Sequence, residues 1–382
     1  MSGVSIAARL AQSGLAVTLL EASRLGFEAS SRNQGWLHSG GILARYDPEL
    51  ARMCYESLQQ TVEFCPDCLE PEHHGMWYLV SRFDTEERDW LQAWTQAGIP
   101  WSVAEREDVL AAFPTLNGEH LQRAYLLPDR AFRPEILLAQ LAVAARNAGA
   151  EIRTETAVVH LLQDEHQLLG VVTGTGEEIH ACRVILATGA LTGRYWATAL
   201  TPTVGGQTDY QRVVVKTHLV AVQPALGAVP FCVVDRGGFC HIPHLQTSVF
   251  GANRWLLVGD PLDHAVQQEE LAVCWSHMQE FFPRLTRARC DRVTEWAGTT
   301  MQAMHVDQIE PTQAARPTFI NHGVESPRMA HLWSAYPGRA TLWAHLAEEA
   351  RCAILADLGR EPIVTSTPPW AVVEPSSHVP CH

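Results

Sequence analysis

A helix, a glycine and a short strand ending in an acid open this chain, and that unit constrains the fold most. Apolar residues at Val4, Ile6, Ala7, Leu10 and Ala11 recur at helical spacing, and Gly14 closes the helix. Leu15 to Leu20 reads as a short apolar strand that delivers Glu21. This order is the second half of a dinucleotide-binding βαβ unit. In such a unit the third glycine of the fingerprint lets the helix pack on the sheet, and an acid about 20 residues on meets a ribose hydroxyl. Gly3 and Glu21 stand 18 positions apart, so Gly3 fits the third glycine and Glu21 the acid. Met1 and Ser2 then fill the two variable positions before it. The first strand and the first two glycines are absent from the sequence, and the expectation is that Met1 is an internal methionine of a longer reading frame. Taken alone the half-motif is weak, since any helix–strand unit resembles it.

Composition narrows the chemistry. Of 28 Lys and Arg residues only Lys216 is a lysine, and it sits in a strand-like Val-Val-Val-Lys-Thr run. Anions are therefore expected on arginine, on backbone N–H groups or at a helix N-terminus. A net charge of −14 argues against a nucleic-acid partner. Ten cysteines show no framework spacing, and the one close pair, Cys65-Pro-Asp-Cys68, has no second pair to complete a zinc site. No metal is expected. Scattered thiols suit a reducing cytoplasm, and no run of 18 apolar residues or signal-like N-terminus is present. The expectation is a cytoplasmic chain without a transmembrane segment.

Residues 28 to 41, Glu-Ala-Ser-Ser-Arg-Asn-Gln-Gly-Trp-Leu-His-Ser-Gly-Gly, are rich in small and polar side chains yet carry Trp36, Leu37 and His38. Such a run can set N–H groups and hydroxyls against a pyrophosphate while aiming one imidazole inward. Here the chain resembles the FAD-dependent oxidoreductases of the D-amino-acid oxidase superfamily. Ser31, Arg32, Asn33, Gly35, Leu37, His38, Ser39 and Gly40 are most similar to the loop of anaerobic-type glycerol-3-phosphate dehydrogenases and L-2-hydroxyglutarate oxidases. The helical continuation from Asp47 to Glu56 is similar to the same branch.

Further along, Met76 to Val80 reads as a strand, with helices near Thr85 to Ala97 and Glu105 to Phe113. Asp129-Arg-Ala-Phe-Arg-Pro-Glu135 leads into a helix from Ile136 to Ala148, and strands follow. Arg183-Val-Ile-Leu-Ala-Thr-Gly189 is a buried strand ending in Thr188 and Gly189. The resemblance implies that this strand end passes the cofactor and that the backbone near Val158 faces adenine. Strands between 204 and 300, with a helix from Gln267 to Phe282, suggest an antiparallel sheet with a helix on one face. His241, His244 and Arg254 read either as pocket residues or as hairpin and loop decoration.

Near the C-terminus, Arg316-Pro317 is similar to a family Arg-Pro whose arginine approaches the substrate anion; the plain alternative is a loop arginine. Gly338-Arg339-Ala-Thr341 follows a strand and opens a helix. The resemblance implies that this helix N-terminus faces the flavin O2, where its dipole favours negative charge. The implied fold is α/β: a discontinuous Rossmann-like FAD-binding domain at 1–74, 129–203 and 300–360, and an antiparallel α+β substrate domain at 75–128 and 204–299. A Pro-rich surface tail covers 361–382.

The expected cofactor is FAD, held by Gly3, Glu21, Ser31, Arg32, Asn33, His38, Ser39, Gly40, Val158, Thr188, Gly189, Gly338, Arg339 and Thr341. The expected reaction oxidises a small anionic molecule, a 2-hydroxy acid or a polyol phosphate, by hydride transfer to flavin N5. His38 is the candidate base, with a cofactor-positioning role as its alternative, and Arg316 the candidate anion clamp. An amine or amino-acid oxidase of the same superfamily is the second reading. A truncated, non-catalytic remnant that binds FAD poorly is the third. The sequence leaves open the electron acceptor, a peripheral membrane or quinone contact, and the oligomeric state.

Overall fold

The computed structural model describes residues 1–71, 74–81, 87–199, 210–252, 254–305, 316–324, 329–361 and 370. The first helix, Ser2–Gln12, buries Val4, Ile6, Ala7, Ala8, Leu10 and Ala11 on its apolar face. It packs against the helices Pro134–Asn147 and Trp343–Asp357, and their facing side chains form one apolar core. A charged clasp reinforces this layer: Arg9 Nε donates to Glu348 at 3.1 Å, and Arg351 Nε donates to the same carboxylate at 3.0 Å.

Beneath these helices the strand Thr18–Leu20 runs parallel to Glu151–Arg153. A second small sheet pairs Val184–Leu186 in parallel with Leu332–Tyr336, which pairs antiparallel with Thr318–Asn321. Parallel pairs joined through helices are the βαβ arrangement that the opening residues suggested. A three-stranded antiparallel meander, Val158–Gln163, Leu168–Thr173 and Glu178–His180, lies beside it.

The second unit is a large sheet that draws strands from two distant parts of the chain. Met76–Val80 pairs in parallel with Phe231–Val233 and antiparallel with Arg123–Leu127. The longest pairing joins Tyr210–Gln223 to Arg292–His305 in continuous antiparallel register. The expected boundary at residue 300 therefore falls inside a strand, since hydrogen bonding to Tyr210–Gln223 carries that strand on to His305. Helix Gln268–Phe281 covers one face, where Phe113, Phe231, Phe239, Phe250, Phe281 and Phe282 are all buried. Each such ring contributes about 1.5–3 kcal/mol relative to exposure, which makes this the energetic centre of the unit.

Two expectations need correction here. His241 does not line a pocket; it is fully buried, with Nε2 2.7 Å from Ser248 Oγ, and it stacks on Phe231. Most of 361–382 lies outside the described residues, but Trp370 is no surface residue. It is 4% exposed and meets Trp343 edge-on with centroids 4.5 Å apart, beneath the guanidinium of Arg9. An indole has enough apolar area to anchor a segment that has no helical or strand periodicity.

Candidate active site

The loop after the first strand is pinned from two sides. Trp36 and Leu37 pair antiparallel with Ala131 and Arg130, placing the run beside Asp129. Gly40 has φ +85°, and a Cβ there would lie 2.5 Å from Ala51 Cα, so only glycine lets the loop press on the helix Pro48–Phe64. Asn33 closes the preceding turn on itself. Its Oδ1 accepts from Gly35 N at 2.8 Å and its Nδ2 donates to Ser30 O at 2.8 Å. Ser31 is exposed, its Oγ 3.4 Å from Glu28 O.

Arg32 faces the large sheet. Its carbonyl accepts from Trp296 Nε1 at 3.0 Å, Glu28 lies 3.5 Å from its Nε, and that Nε is buried without a hydrogen-bond partner. His244, read as hairpin decoration or pocket, instead bridges the units. Its ring lies 3.1 Å from Glu70 Oε1 and 2.9 Å from Gln34 O. Arg254 is a surface residue paired with Glu270 at 3.2 Å.

The turn after Leu332–Tyr336 meets this loop. The His38 backbone N–H donates to Thr341 Oγ1 at 3.2 Å, joining residues from opposite ends of the chain. His38 is 5% exposed and its Nδ1 is buried with no hydrogen-bond partner. Burial first, and the nearby Arg339 second, hold its pKa well below the ordinary value, so the imidazole is neutral. Arg339 has no carboxylate partner among the described residues. Its Nε is orphaned, its guanidinium lies over the Trp255 ring at 5.2 Å, and burial lowers its pKa. Gln302 sits next to it: Nε2 donates to Gly338 O at 3.4 Å, and Oε1 is buried and unpartnered.

Other expected residues lie along the nucleotide half. Gly3 sits in close quarters, because a Cβ would stand 3.3 Å from both Ala187 Cβ and Leu19 Cδ1 and would need them to give by a few tenths of an ångström. The Met1 ammonium is buried, donates to Ser30 Oγ at 2.6 Å, and has a pKa lowered to about 6, chiefly by burial. Glu21 accepts from Ser23 N at 3.0 Å. Thr188 Oγ1 is 3.0 Å from Thr192 Oγ1, and the Gly189 carbonyl accepts from the same hydroxyl at 2.9 Å. The Val158 carbonyl accepts from Tyr195 OH at 2.9 Å.

Arg316 departs from its expected role. It is 45% exposed and its guanidinium is already engaged: Nε and Nη2 donate to Asp47 at 2.9 and 2.7 Å, and Nη1 to Glu49 at 2.7 Å. Two carboxylates at the N-terminus of a helix neutralise it, so it is not free to clamp a substrate anion. Cys65 and Cys68 are buried and free, and no cluster of three metal-ligating side chains occurs among the described residues. Lys216 is buried on the long strand, 2.9 Å from Asp263.

Sequence reading missed Asp129, Tyr78, Gln302 and Trp255. Asp129 is fully buried and accepts from Trp36 Nε1 at 2.9 Å, from Tyr78 OH at 3.0 Å and from Ser39 Oγ. In the sequence it stood only as the lead-in to a helix, and nothing local marked it. Trp255 looked like the start of an ordinary strand, and Gln302 lay just beyond the sheet expected between 204 and 300.

The DAO family pattern, described as FAD dependent oxidoreductase, matches residues 1–335. The chain is 26% identical over 374 residues to anaerobic glycerol-3-phosphate dehydrogenase subunit A1 of Haloferax volcanii, covering 94% of this chain and 62% of that one. It thus spans under two thirds of that relative's length. It is 28% identical over 399 residues to glycine oxidase of Pseudomonas aeruginosa, covering 96% of this chain and 94% of the other. Among solved structures, glycine oxidase from Bacillus cereus superposes with TM-score 0.72 at 20% identity, over 95% and 96% of the two chains. The glycerol-3-phosphate dehydrogenase from Bacillus halodurans complexed with FAD gives 0.65 at 19% identity, over 96% of this chain and 64% of that one. No helix among the described residues is long and apolar enough to cross a membrane. The chain belongs to the DAO family of FAD-dependent oxidoreductases.

Proposed function

We propose that this enzyme oxidises a small anionic substrate, a 2-hydroxy acid or a polyol phosphate, between His38 and Arg339. The observation that carries the reading is the Arg339 guanidinium, half-buried with its Nε out of solvent and without a bonded carboxylate, beside a neutral imidazole. A partly desolvated cation without a counter-ion is costly, and an anionic ligand relieves that cost. The residues present fit FAD. His38 Nδ1 and Arg339 Nε are buried polar atoms without a hydrogen-bond partner, and both belong to the two loops that the His38–Thr341 bond joins.

In this reading Gly3, Glu21 and the loop from Ser31 to Gly40 hold the nucleotide. Thr188, Gly189 and the backbone near Val158 flank it, and Gly338, Arg339 and Thr341 meet the ring system. Bound FAD supplies the two-electron acceptor for the substrate hydride. Arg339 draws the anionic end of the substrate inward and fixes its orientation. His38, uncharged at neutral pH, takes the proton from the substrate hydroxyl. Residues 1–74, 129–203 and the stretch from beyond the strand Arg292–His305 to 360 are read as the FAD-binding domain.

Anaerobic mixing tests the substrate class. Bleaching of the flavin by sn-glycerol 3-phosphate or by 2-hydroxy acids, with no response to glycine or sarcosine, is the expected result. Bleaching by the amines alone favours the amine-oxidase reading, which the likeness to glycine oxidase supports. His38→Ala is expected to slow the bleaching by roughly 10²-fold or more, and a wild-type rate would remove the base assignment.

A further inference from the structure

We propose that Asp129 is a positioning residue for His38, acting through Trp36 and Ser39; this rests on the reading of His38 as the base. Its carboxylate accepts from the Trp36 indole at 2.9 Å and from the Ser39 hydroxyl, two residues before and one residue after His38 in the chain. The Trp36 ring in turn meets the His38 ring edge-on, with centroids 5.4 Å apart and planes at 62°. Ser39 Oγ, while donating to Asp129, accepts from Gly41 N at 3.3 Å, so the carboxylate also sets the chain that leaves the imidazole. The third donor, Tyr78 OH at 3.0 Å, comes from the large sheet and fixes Asp129 from outside the loop.

Stability alone does not account for such a group. Asp129 is fully buried, and burial raises its pKa despite the donors around it. A carboxylate in this setting carries a desolvation cost that an apolar knot of equal volume would avoid. What an apolar replacement could not do is hold two donors in fixed directions on either side of one imidazole. His38 needs that help, since its own Nδ1 has no protein partner to orient the ring.

Histidine ring signals of the FAD-loaded protein, read in a long-range ¹H–¹⁵N spectrum, test the role without any substrate. The His38 signals are identified by their loss in His38→Gln. Asp129→Ala is expected to shift or split them, and Asp129→Asn, which keeps an acceptor for Trp36 and a donor for Ser39, to restore them. Tyr78→Phe removes the third donor, whose hydroxyl also meets Ser39, but leaves the Asp129 carboxylate between Trp36 and Ser39, and is expected to shift them less than Asp129→Ala does. If Asp129→Ala does not accumulate as folded protein, Ser39→Ala takes its place with the same expected shift. Signals that superimpose on wild type in the Ala variant overturn the proposal, as does an equal shift in Tyr78→Phe. With sn-glycerol 3-phosphate as probe, single-turnover bleaching in Asp129→Ala is expected to slow at least about tenfold, in keeping with misplacement of a reacting group. Wild-type bleaching by His38→Gln would overturn the base reading alone and leave the spectra to decide on Asp129.

Discussion

Arg316 and Arg339 are two arginines from the C-terminal part of the chain, and their surroundings are opposite. Arg316 is largely open to water and held by Asp47 and Glu49. Arg339 is half-buried, leans on Trp255 and has no bonded carboxylate among the described residues. The difference teaches that an arginine is available to a ligand through what its neighbours leave unpaired. A neutralised guanidinium braces structure, whereas an uncompensated one offers a binding site.

The widest gap between the two should appear in catalysis. Arg339→Met is expected to slow flavin reduction by about 10²–10³-fold, the scale seen when one positioned donor to a reacting anion is removed. Arg316→Ala should leave the same rate within about twofold. Single-turnover bleaching of both variants, side by side, measures this, and equal losses would erase the contrast.

A second gap concerns protons. Burial and Arg339 together keep His38 uncharged below its ordinary pKa of 6.5. In Arg339→Met the imidazole should titrate closer to that value, while Arg316→Ala should leave it where it was; a histidine titration by NMR reads both. The linkage has a definite sign. The unfolded chain takes up the proton near pH 6.5 and the folded chain resists it, so stability from this group is present above that pH. It declines as pH falls from there toward the lowered folded pKa.

The smallest effect is in stability. Arg316→Ala should lower stability by about 0–1 kcal/mol, because the ion pairs it loses are exposed. Asp47 keeps its cap on Leu50 N at 3.0 Å, so the helix start survives. A denaturant midpoint moved well beyond that range would mean that Arg316 organises more than the helix end.

Much of this architecture was legible in the sequence because it is written in local patterns. The apolar face of Ser2–Gln12, the strand after it and the helix near Ile136 follow from periodicity and a closing glycine. The loop through His38 announced itself by density of small and polar residues. Partnerships over long separations were not legible. Arg316 and its Asp47 partner lie 269 positions apart, and no local signal says which carboxylate will meet which guanidinium. Asp129 was hidden for the same reason, since its meaning comes from Trp36, 93 positions away, and from Tyr78, 51 away. Trp370 was hidden by its proline-rich setting, where composition gives no sign that this one ring is buried.

The clasp between Arg9 and Glu348 has a consequence for how the molecule comes into being. Its two residues are 339 positions apart, and Trp370, which Arg9 also covers, is made later still. The helix Pro134–Asn147 can cover part of the first helix early, but at synthesis rates of about 5–20 residues per second its other partner, Trp343–Asp357, arrives only after roughly 20–70 s. The nucleotide unit is thus begun first and closed last, with the whole large sheet free to form in between.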